Sequence, residues 1–299
     1  MRRLEENRPR PDRKRWGIAA TVAAASLLLS GCGEFGERGG VLPMPEPVTE
    51  VGPELVAFWN GTWIAAWGVG ILVWFLILWA VFAYRRRSDD EVPTQFRYHV
   101  PLEILYTVVP ILMVATLFGW TVQVENKMLE IQDDPDVVVN VAGKKWSWDF
   151  NYVNEDVHIA GLQAHDLNEG EEGVPDTLPT MVLPIDSRVE FVLTSRDVIH
   201  SFWVPQFLQK LDMIPGRVNI MQVTTTQEGT FQGKCAELCG AYHSEMLFQV
   251  QVVSQDEYDQ FIEDLRSSGN TGLLGPELDQ YELQVDQADK LNLDAADQD

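Results

Sequence analysis

The sequence predicts a membrane-anchored all-β protein, in which a hairpin of two transmembrane helices precedes a Greek-key β-barrel. Two observations lead to this prediction. Two long uncharged segments lie within the first 124 residues, and short strand-like segments rich in β-branched residues follow from residue 137 onward. Gly and Pro turns separate these later segments, as in sandwiches and barrels. The chain of 299 residues therefore has room for a membrane part and one globular domain.

The first 31 residues have the pattern of a bacterial secretory signal. Seven basic residues precede or adjoin an apolar stretch from Trp16 to Leu29, and Leu29-Ser30-Gly31-Cys32 follows. This tetrapeptide resembles a lipobox, so we expect removal of residues 1–31 and lipidation of Cys32. The alternative is a short first transmembrane helix, but 14 apolar residues are few for a span. Residues 32–54 would then form an extracytoplasmic linker.

The two uncharged segments predict a membrane hairpin over residues 55–124. Leu55 to Tyr84 comprises 30 residues and Ile104 to Val124 comprises 21, against about 20 needed to cross a bilayer as a helix. Arg85, Arg86, Arg87 and Arg97 lie between them, so the positive-inside rule places this connection in the cytoplasm. Everything after residue 125 then lies on the extracytoplasmic side of the membrane.

Residues 125–267 are predicted to form the globular domain. The clearest strand patterns are Val137–Ala142, Arg188–Thr194, Val218–Val223 and Leu247–Val252. Ser254 and Glu257 form a capping box, and the helix that they open has its apolar residues on one face. The acidic segment 160–180 is interpreted as a surface insertion, and residues 268–299 as a flexible acidic tail.

The net charge of −23 limits the partners of this domain. A general nucleic-acid-binding protein needs a basic surface, so that class is excluded. An acidic surface attracts a basic partner and speeds its arrival at low salt, although charge of this sign also simply keeps an extracytoplasmic domain soluble.

One loop combines the residues that indicate metal chemistry. Cys235, Cys239, His243 and Met246 lie within twelve residues, and His200 lies 35 residues before the first of them. Thiolate and thioether are soft ligands that favour copper, and imidazole also suits it. Two cysteines can bridge two copper ions, each of which then takes one histidine. The thioether and one backbone carbonyl, which Glu237 is placed to supply, would act as weak ligands.

Two alternatives explain fewer of these residues. A disulfide between Cys235 and Cys239 is possible outside the cytoplasm, but it gives no role to the two histidines and the methionine. A structural zinc site would use two cysteines and two histidines, yet it has no use for Met246 and usually shows a shorter cysteine spacing.

With these residues in view, the chain resembles subunit II of haem-copper oxidases over most of residues 50–265. The pattern Cys235-x₃-Cys239-x₃-His243-x₂-Met246 with an upstream histidine matches the binuclear copper signature of that family. The resemblance implies a cupredoxin-like fold and a copper A centre of two ions. Its implied ligands are His200, Cys235, the carbonyl of Glu237, Cys239, His243 and Met246. It also implies a magnesium ion on the Glu237 carboxylate, shared with subunit I.

Three further segments match this family. The aromatic segment from Gly143 to Tyr152 resembles the region where the first tryptophan, here Trp146, receives electrons from cytochrome c; Ser147 departs from the usual aromatic residue there. Residues 212–219 resemble the segment that meets subunit I near its haem propionates. The segment that begins at Glu103 resembles the start of the second helix, where the glutamate lies at the mouth of a proton-uptake path.

The resemblance implies a function as subunit II of a proton-pumping cytochrome c oxidase in a bacterial plasma membrane. The chain would pass electrons to haem in subunit I, where oxygen is reduced, and do no oxygen chemistry itself. Implied partners are subunits I and III, the lipid bilayer, and cytochrome c or a cytochrome c domain of a cytochrome bc complex. The alternative is a membrane-anchored cupredoxin-type copper carrier or assembly protein. Subunit II of quinol oxidases lacks the ligands present here, and nitrous oxide reductases with this centre need a large additional catalytic domain.

Overall fold

The computed structural model describes residues 44–88, 92, 95–163 and 178–279. The predicted signal peptide, the lipidation site Cys32, most of the 160–180 insertion and the last 20 residues lie outside this part of the chain. The predictions for those segments are therefore untouched by the structure.

Two long helices form the membrane hairpin. Helix α1 comprises Gly52–Ala83 and helix α2 comprises Val100–Met128. Both are long and apolar enough to cross a membrane, with hydropathies of 2.3 and 2.0. Helix α1 begins three residues before its uncharged segment, and α2 extends four residues beyond its segment at each end. At the C-terminal end of α2, Lys127 forms an ion pair with Glu54 of α1, with Nζ 2.7 Å from Oε2.

In the described part of the chain, ten strands and one α-helix follow the hairpin. They are β1 Val137–Lys144, β2 Ser147–Tyr152, β3 Val157–Ala160, β4 Thr180–Pro184, β5 Arg188–Ser195, β6 His200–Val204, β7 Gln209–Met213, β8 Asn219–Thr224, β9 Gly229–Cys235, β10 Leu247–Val253 and helix α3 Gln255–Ser267. All four predicted strands and the predicted capping box of α3 are confirmed. We call residues 137–267 the β-domain.

The strands form two five-stranded sheets, in the orders β3-β2-β1-β5-β8 and β4-β10-β9-β6-β7. The pairs β1–β5 and β4–β10 are parallel, and the other pairs are antiparallel. Strands that are neighbours in a sheet but distant in sequence require crossovers, as in Greek-key folds. The structure thus has the predicted architecture of two apolar helices followed by an all-β domain.

Alternate residues of the strands face the space between the sheets and fill it with aromatic rings. Trp148, Phe150, Phe202 and Phe248 are completely buried there, and the rings of Phe202 and Phe248 stack with centroids 5.2 Å apart. Large rings that interlock in this way make a rigid core. Strands β6 and β9, which carry the predicted ligands His200 and Cys235 at their ends, belong to the sheets that enclose this core.

Chain segments on both flanks of the β-domain bind to it. Before α1, Val48 is buried and Thr49 forms an isolated bridge with Thr225, so part of the predicted linker 32–54 is tied to the domain. After α3, residues 270–279 run along β3 and β2; Thr271 bridges Val157. We call residues 270–279 the C-terminal strap. These contacts, within the segment predicted as a flexible tail, are not foreshadowed by its composition.

Candidate metal centre

The loop between β9 and β10 holds most of the predicted ligands. Its first cysteine, Cys235, is the last residue of β9, and Met246 directly precedes β10. Because β9 and β10 pair from Lys234 and Leu247 onward, the two ends of the loop are fixed side by side. The Cys235 backbone N–H also donates to the Met246 carbonyl at 3.1 Å. The loop is therefore held at its base by the second sheet.

His200 reaches the same place from another strand. It is the first residue of β6, which pairs with β9 so that Phe202 lies opposite Cys235. The Ala236 N–H donates to the carbonyl of Ser201 at 3.0 Å. Strand pairing thus brings together two parts of the chain that are 35 residues apart in sequence.

The predicted donor atoms converge in one cluster. The Sγ atoms of Cys235 and Cys239 are 3.9 Å apart. His200 Nδ1 lies 3.8 Å from the Cys235 sulfur, and the Glu237 carbonyl oxygen lies 3.2 Å from it. His243 Nδ1 and Met246 Sδ lie 3.5 and 3.7 Å from the Cys239 sulfur. One histidine therefore accompanies each cysteine, which is the arrangement predicted for two bridged metals.

The cluster lies mostly below the surface. His200 and Met246 are fully buried and both cysteines are 5% exposed, whereas His243 is half-buried. Burial, and after it the neighbouring Cys235 sulfur, raise the pKa of Cys239 to about 12. Burial is also the largest influence on Cys235 and acts in the same direction, but the hydrogen bonds with His200 and with the backbone of Glu237 and Ser201 together outweigh it and lower that pKa overall. The two sulfurs therefore differ in how readily they lose a proton.

Asp197 holds His200 in a defined orientation. His200 Nε2 lies 2.8 Å from Asp197 Oδ1, while Nδ1 faces the cysteine. Burial tends to lower the pKa of His200, but the hydrogen bonds and charges of Asp197 and Cys235 together raise it above its ordinary value. The Asp197 carboxylate is itself fixed by the backbone N–H groups of Lys145 and Val198 at 2.8 and 2.7 Å. A carboxylate that orients a ligating histidine in this way is common at metal sites.

Gly143 provides the space for this histidine. A Cβ atom at position 143 would lie 3.0 Å from His200 Cδ2, closer than side chains pack without displacement. Neither Gly143 nor Asp197 was predicted as part of the site. The only signal in the sequence is the position of Asp197, three residues before the histidine.

The donor set fits copper better than it fits the alternatives. Two thiols, two imidazoles, a thioether and a carbonyl make a soft set, and the buried thioether has no role in a zinc site. The two cysteines are free, with their sulfurs at about twice the length of a disulfide bond. His200, Cys235 and Cys239 alone place their ligand atoms within 4.8 Å of one another.

Trp146 packs against the outer side of the metal-binding loop. Its ring meets that of Tyr242 edge-on with centroids 4.9 Å apart. Gly240, with φ of +131°, brings the loop backbone so close that a Cβ there would lie 3.0 Å from the indole. Trp146 is half-buried, so it links the protein surface to the loop.

The remaining predicted site residues lie elsewhere. Glu237 is exposed between the two cysteines, with its carbonyl turned inward toward Cys235. Glu103 lies in the first turn of α2, where its Oε1 accepts a hydrogen bond from the His99 N–H at 2.9 Å. The structure thus places Glu103 at the helix end that is remote in sequence from the β-domain, and gives it a capping contact.

Known proteins are similar to this chain in sequence. A family model described as cytochrome c oxidase subunit II, periplasmic domain, matches residues 137–253. A probable cytochrome c oxidase subunit 2 of Streptomyces avermitilis is 46% identical over 292 residues, covering 88% of this chain and 90% of the relative. The cytochrome c oxidase subunit 2 of Corynebacterium glutamicum is 33% identical, covering 87% of each chain. The chain belongs to the cytochrome c oxidase subunit II family.

A solved structure adds a further relative. The periplasmic domain of subunit II of the Bradyrhizobium japonicum cytochrome oxidase is 31% identical, covers 46% of this chain and 99% of its own, and has a TM-score of 0.41.

Membership of the family confirms the main predictions from sequence. The chain is a component of a haem-copper oxidoreductase, its domain is of the cupredoxin-like type, and the family implies a copper A centre. With two apolar helices and a domain that matches a periplasmic family, it is a membrane protein whose β-domain lies outside the cytoplasm.

Proposed function

We propose that His200, Cys235, the Glu237 carbonyl, Cys239, His243 and Met246 hold two copper ions, through which this chain serves its oxidase as the receiver of electrons. The observation that carries the proposal is the convergence of all six donor groups, with one histidine beside each of two cysteines 3.9 Å apart. Two bridged copper ions, when bound, accept and release one electron at a time.

The protein contributes a fixed frame for this chemistry. Cys235 and Met246 are anchored by the β9–β10 ladder, and His200 is held by Asp197 and packed against Gly143. Ligands on rigid elements move little between two oxidation states of a metal, which keeps the reorganisation on electron transfer small. The buried, dry surroundings of the sulfurs also help to set the reduction potential.

Trp146 is the residue that we assign to electron input from outside. Its indole touches Tyr242 and lies over Gly240 of the metal-binding loop, while part of the ring faces solvent. The donor is a cytochrome c or a cytochrome c domain of a cytochrome bc complex. A basic donor would be attracted by the net charge of −23, and salt would slow its binding.

Other proposed roles concern the boundary with the rest of the oxidase. The exposed carboxylate of Glu237 is suited to a magnesium ion shared with subunit I, because Mg²⁺ prefers carboxylate oxygens and water. Glu103, in the first turn of α2, lies where the positive-inside rule puts the cytoplasmic surface and is proposed to open a proton path. Electrons go on to haem in subunit I; subunit III is a further partner. Cys32 is proposed as a lipid anchor in the plasma membrane.

The first test is the copper content of the full chain, with electron paramagnetic resonance on the same sample. We expect two coppers per chain that share one unpaired electron. One copper with a single-metal signal, or zinc, would contradict the proposal.

A second measurement separates the oxidase from a copper carrier. In the assembled complex, bound copper is expected to resist a chelator and to be reduced by reduced cytochrome c. A carrier would instead give up its copper readily and would not support cytochrome c oxidation.

A further inference from the structure

The C-terminal strap covers a layer of polar side chains on the outer face of the first sheet. Asn140 and Asn151 are 3% and 0% exposed. Asn151 Nδ2 donates to the Leu274 carbonyl at 3.0 Å, and the Leu274 N–H donates back to Asn151 Oδ1 at 2.9 Å. Residues on the outer face of a sandwich ordinarily meet water, whereas Asn151 bonds the strap and the Asn140 amide oxygen. Asn140 in turn donates to the Val192 carbonyl and the Thr194 hydroxyl of β5 at 2.9 and 3.2 Å.

The last six residues of the strap, 274–279, contact a buried arginine, Arg196. Arg196 donates from Nη1 to Asp279 Oδ1 at 2.9 Å and to the Gly275 carbonyl at 3.0 Å, and from Nη2 to the Leu274 carbonyl at 3.3 Å. Its Nε donates to Asp149 Oδ2 at 2.9 Å. The side chains of Arg196 and Asp279 are only 7% and 8% exposed. Three of these four hydrogen-bond partners of the guanidinium therefore belong to the strap.

Arg196 lies in the turn that leads to the metal site. The turn joins β5 to β6, and Arg196 immediately precedes Asp197, the residue that orients His200. The Arg196 N–H donates to the carbonyl of Gly143 at 2.9 Å, the same glycine that makes room for the imidazole. The strap, the arginine, the carboxylate and the ligand thus form one continuous set of contacts.

We propose that the C-terminal strap is a positioning element for the His200 side of the metal centre, acting through Arg196 and the turn that carries Asp197. The inference rests on the assignment of His200 as a copper ligand. A guanidinium that is tied on two sides, by Asp149 of β2 and by the strap, fixes the turn between them. Loss of the strap leaves the cation with Asp149 alone and frees the turn to shift, and with it the carboxylate that bonds His200.

Two truncations separate the strap from the tail that follows it. A chain that stops after Asp279 keeps the strap, whereas a chain that stops after Gly269 lacks it; both lack residues 280–299. Each is produced in the assembled oxidase beside the full chain. The readouts are the rate of copper loss to a chelator, the paramagnetic resonance spectrum of the copper, and its reduction potential.

Point variants test the same contact with less disturbance. Asp279→Asn removes the ion pair with Arg196, and Asp279→Glu restores the charge. Glu277→Gln is the matched control, because it changes the same charge on an exposed side chain of the same strap. Thermal unfolding of each variant reports stability separately from the metal readouts.

We expect the chain that ends at Gly269 and Asp279→Asn to lose copper about tenfold faster, the lower end of effects at residues that support a metal ligand, with an altered spectrum and potential. The chain that ends at Asp279, Glu277→Gln and Asp279→Glu should match the full chain. A lower unfolding temperature with unchanged copper loss, spectrum and potential would overturn the inference and leave the strap a purely stabilising element. Failure of Asp279→Asn to fold would also count against it.

The outcome for the full chain keeps the two proposals apart. If the full chain lacks the two-copper signal, the proposed function fails. If it shows the signal and the strap variants match it, only the positioning role fails.

Discussion

The two histidine ends of the candidate copper site are built differently. His200 is fully buried at the start of a strand and is held by Asp197, Gly143 and, indirectly, the strap. His243 is half-buried in a single 3₁₀ turn, near the ring pair of Trp146 and Tyr242. The first end is fixed within the domain and the second lies toward solvent. We infer that the buried end maintains the geometry while the outer end meets the electron donor.

The largest effect is expected at the two cysteines, each of which lies beside one of the histidines. Replacement of Cys235 or Cys239 by serine removes a bridging thiolate, so the two-copper signal and the turnover of the oxidase should both be abolished. Copper analysis and oxygen consumption measure this. Cys32→Ser is the control, since that cysteine is distant from the loop in sequence and should leave the copper signal intact. Retained activity in either loop variant would contradict the assignment.

Asp197→Asn should affect the fixed end alone. The amide can still accept from the Lys145 N–H, but it loses the charge that holds the Nε2 proton of His200. We expect copper to be bound about 10- to 100-fold more weakly, measured by competition with a chelator. An affinity equal to that of the unaltered chain would show that the histidine is oriented without the carboxylate.

Trp146→Phe should affect the outer end alone. The rate of cytochrome c oxidation is expected to fall severalfold, while copper content and spectrum stay unchanged, because Trp146 is not a ligand. Trp203→Phe is the matched control; that ring packs under Lys234 Nζ at 4.6 Å rather than on Tyr242. Equal rates for both variants would remove the special role of Trp146.

Gly143→Ala tests how tightly the fixed end is packed. The added methyl group meets His200 Cδ2 at 3.0 Å, and we expect a cost of about 1–3 kcal/mol with a changed copper spectrum. Gly70→Ala in α1 is the control, since a Cβ there contacts nothing within 4 Å. Thermal unfolding and paramagnetic resonance distinguish the two; a normal spectrum in Gly143→Ala would mean that the ring has room to move.

The smallest effect lies away from both ends. Burial raises the pKa of Glu155, and its Oε2 is buried with no hydrogen-bond partner in the described part of the chain. A carboxyl whose pKa is raised by folding destabilises the fold as pH rises from the ordinary carboxyl range through the folded pKa. Glu155→Gln should therefore stabilise at neutral pH, by roughly a few tenths of a kcal/mol because solvent screens a partly exposed group.

The check is thermal unfolding of Glu155→Gln as a function of pH. Its advantage should vanish in acid, where the parent carboxyl is protonated in both states. Glu228→Gln, on an exposed loop, should show no such trend. An advantage that is independent of pH would point to packing rather than charge.

The sequence predicted four of the ten strands in the described residues and the donor residues that the fold brings together, because both leave local patterns. Alternating residues such as those of β10 predict a strand directly, and the spacing from Cys235 to Met246 predicts a metal loop. The residues that position the proposed ligands leave no such pattern in the sequence. Gly143 and Asp197 join the site only when β1 and β6 are brought together across the domain, and Arg196 is explained only by partners 47 to 83 residues away in sequence.

The C-terminal strap is a second feature that the sequence pattern did not predict. The predicted tail 268–299, of which the strap is the first part, is acidic and has few large apolar residues other than leucine, which is typical of a disordered segment. Its attachment depends on backbone groups and on one carboxylate, Asp279, that meets a buried cation. Hydrogen bonds of this kind depend on the folded partner surface, so composition does not anticipate them.

The attachment of the segment before α1 has a mechanical consequence. The backbone N–H of Val48 donates to the Gln206 carbonyl, and the Val48 carbonyl accepts from the Thr226 N–H. The Glu50 N–H donates to the Thr224 carbonyl. These backbone hydrogen bonds attach the chain to the β-domain immediately before the first membrane helix. Lys127 of α2 forms an ion pair with Glu54 of α1, which joins the two helices near this attachment. The contacts before α1 therefore restrict the movement of the β-domain relative to its hairpin. The fold itself then sets the distance from the metal-binding loop to the membrane. This suits an electron-transfer protein that need not move in order to pass on its electrons.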